Sequence, residues 1–161
     1  MKILLLEDLD TFFEAIRDGL ATRIKSIGPT TIVRFESELE FRDALESGKL
    51  IKEDFDIAIF DVMVGWCSNE DAVTPKGRNP PQEVLDELTL DRPWRSGVRC
   101  RKVFTEARAA AGSRVVPCLY YSVLDPEGVK EEINDDTELV VKQGSIDALI
   151  ESIQRNLNLL R

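Results

Sequence analysis

Two short apolar runs in this chain each stop at carboxylates. Ile3-Leu4-Leu5-Leu6 is followed by Glu7-Asp8, and Ile57-Ala58-Ile59-Phe60 by Asp61, which has no basic residue near it in sequence. Runs of four apolar residues without alternation are expected of strands buried on both faces. In an open parallel sheet the carboxyl ends of the strands border the crevice where ligands bind. Three acids are therefore predicted to meet at one point. Two later runs end in polar groups as well: Val115 to Tyr121 stops at the hydroxyl of Ser122, and Glu138 to Val141 at the ammonium of Lys142.

Such a set suits phosphoryl transfer onto a carboxylate. Mg2+ is a hard cation that takes oxygen ligands, usually one or two protein carboxylates plus waters and phosphate. Asp61 could attack phosphorus and form an acyl phosphate. Mg2+ and Lys142 would then neutralise charge on the equatorial oxygens, and Ser122 could donate to one of them. Each residue alone has an ordinary structural use. Asp8 or Asp10 favours a helix N-terminus, Ser122 forms turns, and Lys142 could be a solvated charge. What singles them out is their shared place at the carboxyl ends of four strands.

The elements that must position them are readable from periodicity. Phe12, Phe13, Ile16, Leu20, Ile24 and Ile27 recur at steps of three and four, predicting a helix from about Asp10 to Ser26, closed by Gly28-Pro29. Thr31 to Phe35 is rich in β-branched residues and reads as a strand. Ser37 and Glu40 have capping-box spacing for a helix that carries Leu39, Ala44 and Leu45 and stops at Gly48. After the Asp56–Asp61 strand comes Trp66–Trp94, with four of the seven prolines and little periodicity, in which Gln82 to Leu90 predicts one or two helical turns. Cys100, Val103, Phe104, Ala107 and Ala111 form a helical stripe ending at Gly112. Val115 to Tyr121 reads as a strand that includes Pro117, and Pro126 to Asn134 as a short helix. Glu138 to Val141 is the last strand. Ser145 then caps a helix with Ile146, Leu149, Ile150, Ile153, Leu157 and Leu160 on one face. Five β-α units of this kind predict a mainly parallel sheet with helices on both faces.

Composition excludes several classes of function. Among 161 residues there are 21 Lys+Arg and 30 Asp+Glu, a net charge of −9, which argues against an autonomous nucleic-acid binder. No apolar run reaches a membrane span, and the first one is halted at Glu7-Asp8, too early for a signal peptide. Cys67, Cys100 and Cys118 are odd in number and lack metal-ligand spacing, so reduced cytoplasmic thiols are expected. The absence of histidine removes imidazole acid–base chemistry, imidazole metal ligands and any role as a phosphohistidine donor.

With Glu7-Asp8, Asp61, Ser122 and Lys142 at these positions, the sequence resembles a response-regulator receiver domain of two-component signalling. The match covers nearly the whole chain outside Trp66–Trp94. The resemblance implies a flavodoxin-like α/β fold, a doubly wound five-stranded parallel sheet in the order 2-1-3-4-5. It implies one receiver domain over residues 1–161, with an insertion at about 66–94. By the same resemblance Glu7 and Asp8 are the acidic metal pair and Asp61 is the phosphoacceptor and a ligand of Mg2+. Met63 lends its backbone carbonyl to the metal, Ser122 is the switch hydroxyl and Lys142 the invariant lysine. The implied role is a cytoplasmic phosphoacceptor rather than an enzyme. Its donor would be a sensor histidine kinase or phosphotransfer protein, its output a downstream protein partner, with no direct nucleic acid or membrane.

The sequence departs from the family pattern at three places. Gln143 stands where proline usually follows the lysine, Leu139 where a switch aromatic is usual, and Val64-Gly65 where a proline is common. Tyr120 and Tyr121 are the aromatics beside Ser122. These departures leave open a pseudo-receiver, folded alike but used unphosphorylated. A further alternative is a haloacid-dehalogenase-type phosphatase, with Asp8-Leu9-Asp10-Thr11 as nucleophile motif and Ser122, Lys142 and Asp135-Asp136 as later motifs. The tryptophans at the ends of Trp66–Trp94 predict that both ends of this segment pack against the domain, with its middle beside the site.

Overall fold

The computed structural model describes residues 1–23, 29–67, 79–89, 95–124, 133, 137–142 and 146–158. Five strands, β1 (Lys2–Leu6), β2 (Thr31–Phe35), β3 (Ile57–Phe60), β4 (Cys118–Ser122) and β5 (Glu138–Val141), form one sheet. Every pairing is parallel, and the order is β2-β1-β3-β4-β5. This is the doubly wound α/β sheet that the alternating pattern predicts. The helices are α1 (Asp10–Arg23), α2 (Glu38–Glu46), the single turn α3 (Lys49–Lys52), α4 (Gln82–Thr89), α5 (Ser96–Ala110) and α6 (Asp147–Asn158).

Strand side chains alternate between faces, so each unbroken apolar run feeds two cores. Leu4, Leu6, Ala58, Phe60 and Tyr120 face Phe41 and Leu45 of α2 and Cys100 and Phe104 of α5. Ile3, Leu5, Ile57, Ile59, Leu119, Tyr121 and Val140 face Ile16 and Leu20 of α1 and Leu149, Ile150 and Ile153 of α6. Phe41 makes edge contacts with Phe35, Phe60 and Phe104, tying the first core together.

The local signals act nearly as read. Ser37 Oγ accepts from the Glu40 N–H at 3.2 Å, but the Glu40 carboxylate caps the N–H of Glu36, one residue earlier than a capping box requires. Gly48 ends α2 at φ 75°, a conformation in which a Cβ is strained, and α3 follows at once. The fourth strand begins later than the sequence suggests. Val115 is 85% exposed, and Pro117 lies just before β4, where its carbonyl accepts from Ala58 N–H at 2.9 Å and its missing N–H breaks no ladder bond. The turns predicted at Gln82–Leu90 are α4. Of the Pro126–Asn134 helix only Ile133, which is buried, is among the described residues; the Ser145 cap, Gln143, Asp135-Asp136 and Trp94 fall outside them. Among the described residues no helix is long and apolar enough to cross a membrane.

A cluster of charges that the sequence does not announce joins three helices. Glu38, at the start of α2, is fully buried. Its carboxylate accepts from Arg42 Nε at 2.9 Å, four residues on, and from Arg99 Nη2 of α5 at 2.5 Å. Arg42 also reaches Glu83 of α4 at 2.7 Å, and Val84 beside it is fully buried. α4 is thus tied to α2. Removing one partner from a buried ion cluster leaves charge uncompensated, at roughly 3–5 kcal/mol. Arg99→Met should therefore lower unfolding free energy by about 3 kcal/mol, read by urea titration. Pairing it with Glu38→Leu should recover much of that loss.

Candidate functional site

The site lies at the carboxyl ends of β1, β3, β4 and β5. Asp61 N–H donates to the Leu6 carbonyl at 2.9 Å, and Glu7 N–H to that of Phe35 at 3.0 Å. Ladder bonding therefore runs one residue past the strands and fixes the backbone of both acids. Lys142 N–H donates likewise to the Ser122 carbonyl at 2.7 Å. Ser122 is fully buried at the same edge of the sheet, and its Oγ lies 3.4 Å from the Leu124 N–H.

Lys142 is the cation that Asp61 lacks in its own stretch of sequence. Its Nζ donates to Asp61 Oδ2 at 2.7 Å and to Glu7 Oε2 at 2.6 Å, and its side chain is 1% exposed. Two rings complete the cage: the ammonium sits 4.4 Å from the Phe12 ring centre and 5.1 Å from that of Tyr121. The second oxygens are also held. Glu7 Oε1 accepts from Leu9 N–H at 3.1 Å, and Asp61 Oδ1 from Met63 N–H at 3.2 Å. The Asp8 side chain projects from this group as its exposed member.

One carboxylate oxygen from each of Glu7, Asp8 and Asp61 lies within 4.8 Å of the others. Three acids thus face one ammonium. Burial raises the Glu7 pKa to about 7 and the nearby Asp61 charge adds to this, outweighing the pull of Lys142. Burial and Asp61 also raise the pKa of Asp8. The Tyr121 phenol is pushed up to about 12 by burial and by the charges of Glu7 and Asp61. Excess negative charge on close, hard oxygen donors fits a divalent cation such as Mg2+. Both oxygens of Glu7 and both of Asp61 already accept from protein donors, which leaves the exposed Asp8 as the freest ligand.

The structure brings together Glu7, Asp8, Asp61 and Lys142, with the Met63 backbone against Asp61 and Ser122 at the same edge. Three further contacts escaped sequence reasoning. Gly97, in the first turn of α5, packs so closely on the end of β3 that a Cβ there would lie 2.0 Å from the Asp61 carbonyl oxygen. Gly65 and Trp66 carbonyls accept from Glu38 and Leu39 N–H groups, so the loop after Asp61 caps α2. Arg34 of β2 grips the Glu7 carbonyl. Leu139, in the place of the expected aromatic, packs beside Tyr120 on the α2/α5 face, whereas Tyr121 on the other face touches the lysine. Asp10, required by the phosphatase alternative as a partner of Asp8, is 82% exposed and pairs with Arg34.

No family model matches the chain, and no curated protein matches it by sequence. Solved structures match it over nearly its full length. The receiver domain of the Francisella response regulator 1452 is 14% identical, with a TM-score of 0.61 covering 99% of this chain and 98% of its own. A response regulator receiver protein from Sinorhizobium medicae is 16% identical, with a TM-score of 0.59 covering 100% of this chain and 97% of its own. The BeF3-activated DrrB receiver domain is 18% identical, with a TM-score of 0.55 covering 98% of this chain and 97% of its own. The chain has the flavodoxin-like fold of response-regulator receiver domains, with their strand order.

Two outcomes follow from this geometry. Gly97→Ala must push α5 away from Asp61; overpacking of this kind costs about 1–3 kcal/mol, and thermal melting should show it. The second concerns pH. Glu7 holds its proton more tightly folded than unfolded, so unfolding releases it between pH 4.5 and about 7. Metal-free stability should be greatest below pH 4.5 on this account and fall as pH rises towards 7. Urea unfolding in a chelator across that range should give a downward slope that Glu7→Gln reduces.

Proposed function

We propose that the chain is a receiver module whose Asp61 accepts a phosphoryl group in a Mg2+-dependent reaction, and whose phosphorylated form docks to another protein. The observation that carries this reading is the Lys142 ammonium bridging Asp61 and Glu7, with Asp8 beside them. An Asp61 carboxylate oxygen forms the new bond to phosphorus as the bond from phosphorus to the donor's leaving group breaks, giving an aspartyl phosphate. Lys142, already held at Asp61, would meet the charge on the transferred oxygens. Asp8 and Asp61, with the Met63 carbonyl and Glu7 through water, would hold Mg2+, which supplies further charge neutralisation when bound. Ser122 would serve as the hydroxyl that responds to the phosphoryl group.

With no histidine of its own, the chain takes rather than donates a phosphohistidine phosphoryl group. A sensor histidine kinase or a phosphotransfer protein is the fitting donor. Two solved structures with the same fold, the BeF3-activated DrrB domain and the RcsB receiver domain from Salmonella enterica with phosphomimetic BeF3−, are described as carrying this mimic. The same mimic is expected to bind here. A second reading, the unphosphorylated binding module, draws on Leu139 in place of the aromatic and on a lysine already saturated by two carboxylates and two rings.

Acetyl phosphate with Mg2+ should add one alkali-labile phosphoryl group, read by intact mass. Asp61→Asn or a chelator should abolish it. An adduct that persists in Asp61→Asn would overturn the assignment. No adduct on the folded wild-type chain, together with no BeF3− binding, would favour the unphosphorylated module.

A further inference from the structure

Arg34 lies on the α1 face of edge strand β2, outside the set of acids and lysine, yet it holds the turn that carries Glu7 and Asp8. Its Nε donates to the Glu7 carbonyl at 2.9 Å, and its Nη1 to Asp10 Oδ1 at 2.6 Å. Glu36 lies 3.2 Å from the same nitrogen. The guanidinium stacks over Phe13 of α1 at 4.6 Å, and the side chain is only 12% exposed. One planar group therefore grips the residues on both sides of Asp8, Glu7 before it and Asp10 two residues after it. Nη2 is buried with no hydrogen-bond partner among the described residues. A buried donor left unpaired is costly, so the placement of this fork is set by what its other nitrogens hold.

Resting on the phosphoacceptor reading, we propose that Arg34 is a positioning residue for the metal site, clamping the Glu7–Asp10 turn so that Asp8 is held ready for Mg2+. Asp8 gains from such a clamp because its own side chain is exposed, and the Arg34 fork adds to the Glu7 N–H bond to Phe35 and the Leu9 N–H bond to the Glu7 carboxylate in holding its turn. The charge of Arg34 also opposes the upward pull that burial and Asp61 exert on Asp8. Lys142 secures the acids from the β5 side and Arg34 from the β2 side. Arginine suits this task where lysine would not, because a planar fork can grip two acceptors and stack on a ring while a point charge cannot.

Groups that orient metal ligands cost about 10–100-fold in metal affinity when replaced. The test is calorimetric titration of MgCl2 into the full chain, with metal-free melting measured beside it. Arg34→Lys keeps the charge and loses the fork, and should bind Mg2+ about ten-fold more weakly, with metal-free melting changed little. Arg34→Met should weaken binding as well. Asp10→Asn loosens one arm of the clamp at an exposed position and should weaken it to a smaller degree, which keeps the test open if an Arg34 variant fails to fold. Unchanged affinity in Arg34→Lys with tighter binding in Arg34→Met would mean that only charge matters, and would overturn the clamp. Lower melting with unchanged affinity would make Arg34 merely structural. A wild-type chain that binds no Mg2+ would overturn the metal reading itself, an outcome distinct from a wild type that binds and variants that match it.

Discussion

One ammonium between two buried carboxylates is the constraint on which the site depends. Lys142 follows β5, Asp61 follows β3 and Glu7 follows β1, so the two ion pairs join strand ends that sit at different places across the sheet. Such charges persist away from water only when each finds partners that satisfy its hydrogen bonds. Here every carboxylate oxygen of Glu7 and Asp61 accepts a bond, two from Lys142 and two from backbone N–H groups of the adjoining turns. The parallel sheet makes this possible, because it turns all its carboxyl ends to one edge. Burial, with the Asp61 charge adding to it, raises Glu7 and Asp8, and the negative charge left over makes the place hospitable to a cation.

The backbone under that charge is held from the opposite face. α5 presents Gly97 rather than a side chain to the Asp61 carbonyl, so helix and strand end meet backbone to backbone. Two residues on, Arg99 takes the buried carboxylate of Glu38, whose own N–H is bonded to Gly65 in the loop after Asp61. Asp61 therefore belongs to a closed circuit through α5, α2 and back to its own loop. α4 joins the circuit at Arg42 through Glu83. The carboxylate at its centre is positioned by packing as well as by charge.

Much of this was legible in the sequence, for identifiable reasons. The unbroken runs Ile3–Leu6 and Ile57–Phe60 declared central strands because both of their faces are covered by helices. Glu7, Asp8, Asp61, Ser122 and Lys142 were visible because they stand where strand-like runs end. What escaped was of another kind. Glu38 reads as an acid favouring a helix N-terminus, and its spacing to Arg42 looks like a surface pair; only the fold brings Arg99, 61 residues away, to bury it. Arg34 interrupts a β-branched strand and looks like an exposed edge residue, while the Glu7 carbonyl it holds has no sequence signature. Gly97 sits before the apolar stripe that starts at Cys100, so its close approach to Asp61 left no periodic trace. Pro117 misled in a smaller way, since an apolar neighbourhood drew it into a strand that its lack of an N–H keeps it out of.

The aromatic groups at the site lie on the side of the sheet where the family pattern does not put them. Leu139 and Tyr120 face α2 and α5, and Tyr120 is covered there by Arg101 at 5.6 Å. Tyr121 faces α1, meets Phe12 edge to face at 6.3 Å, and with it forms the apolar wall against which the Lys142 ammonium rests. A cation over two ring faces is attracted to both, and that attraction depends on where the ammonium sits. Phe12 belongs to α1, and Tyr121 lies in the core shared by α1 and α6. The lysine that faces Asp61 is therefore seated on the α1/α6 side of the sheet.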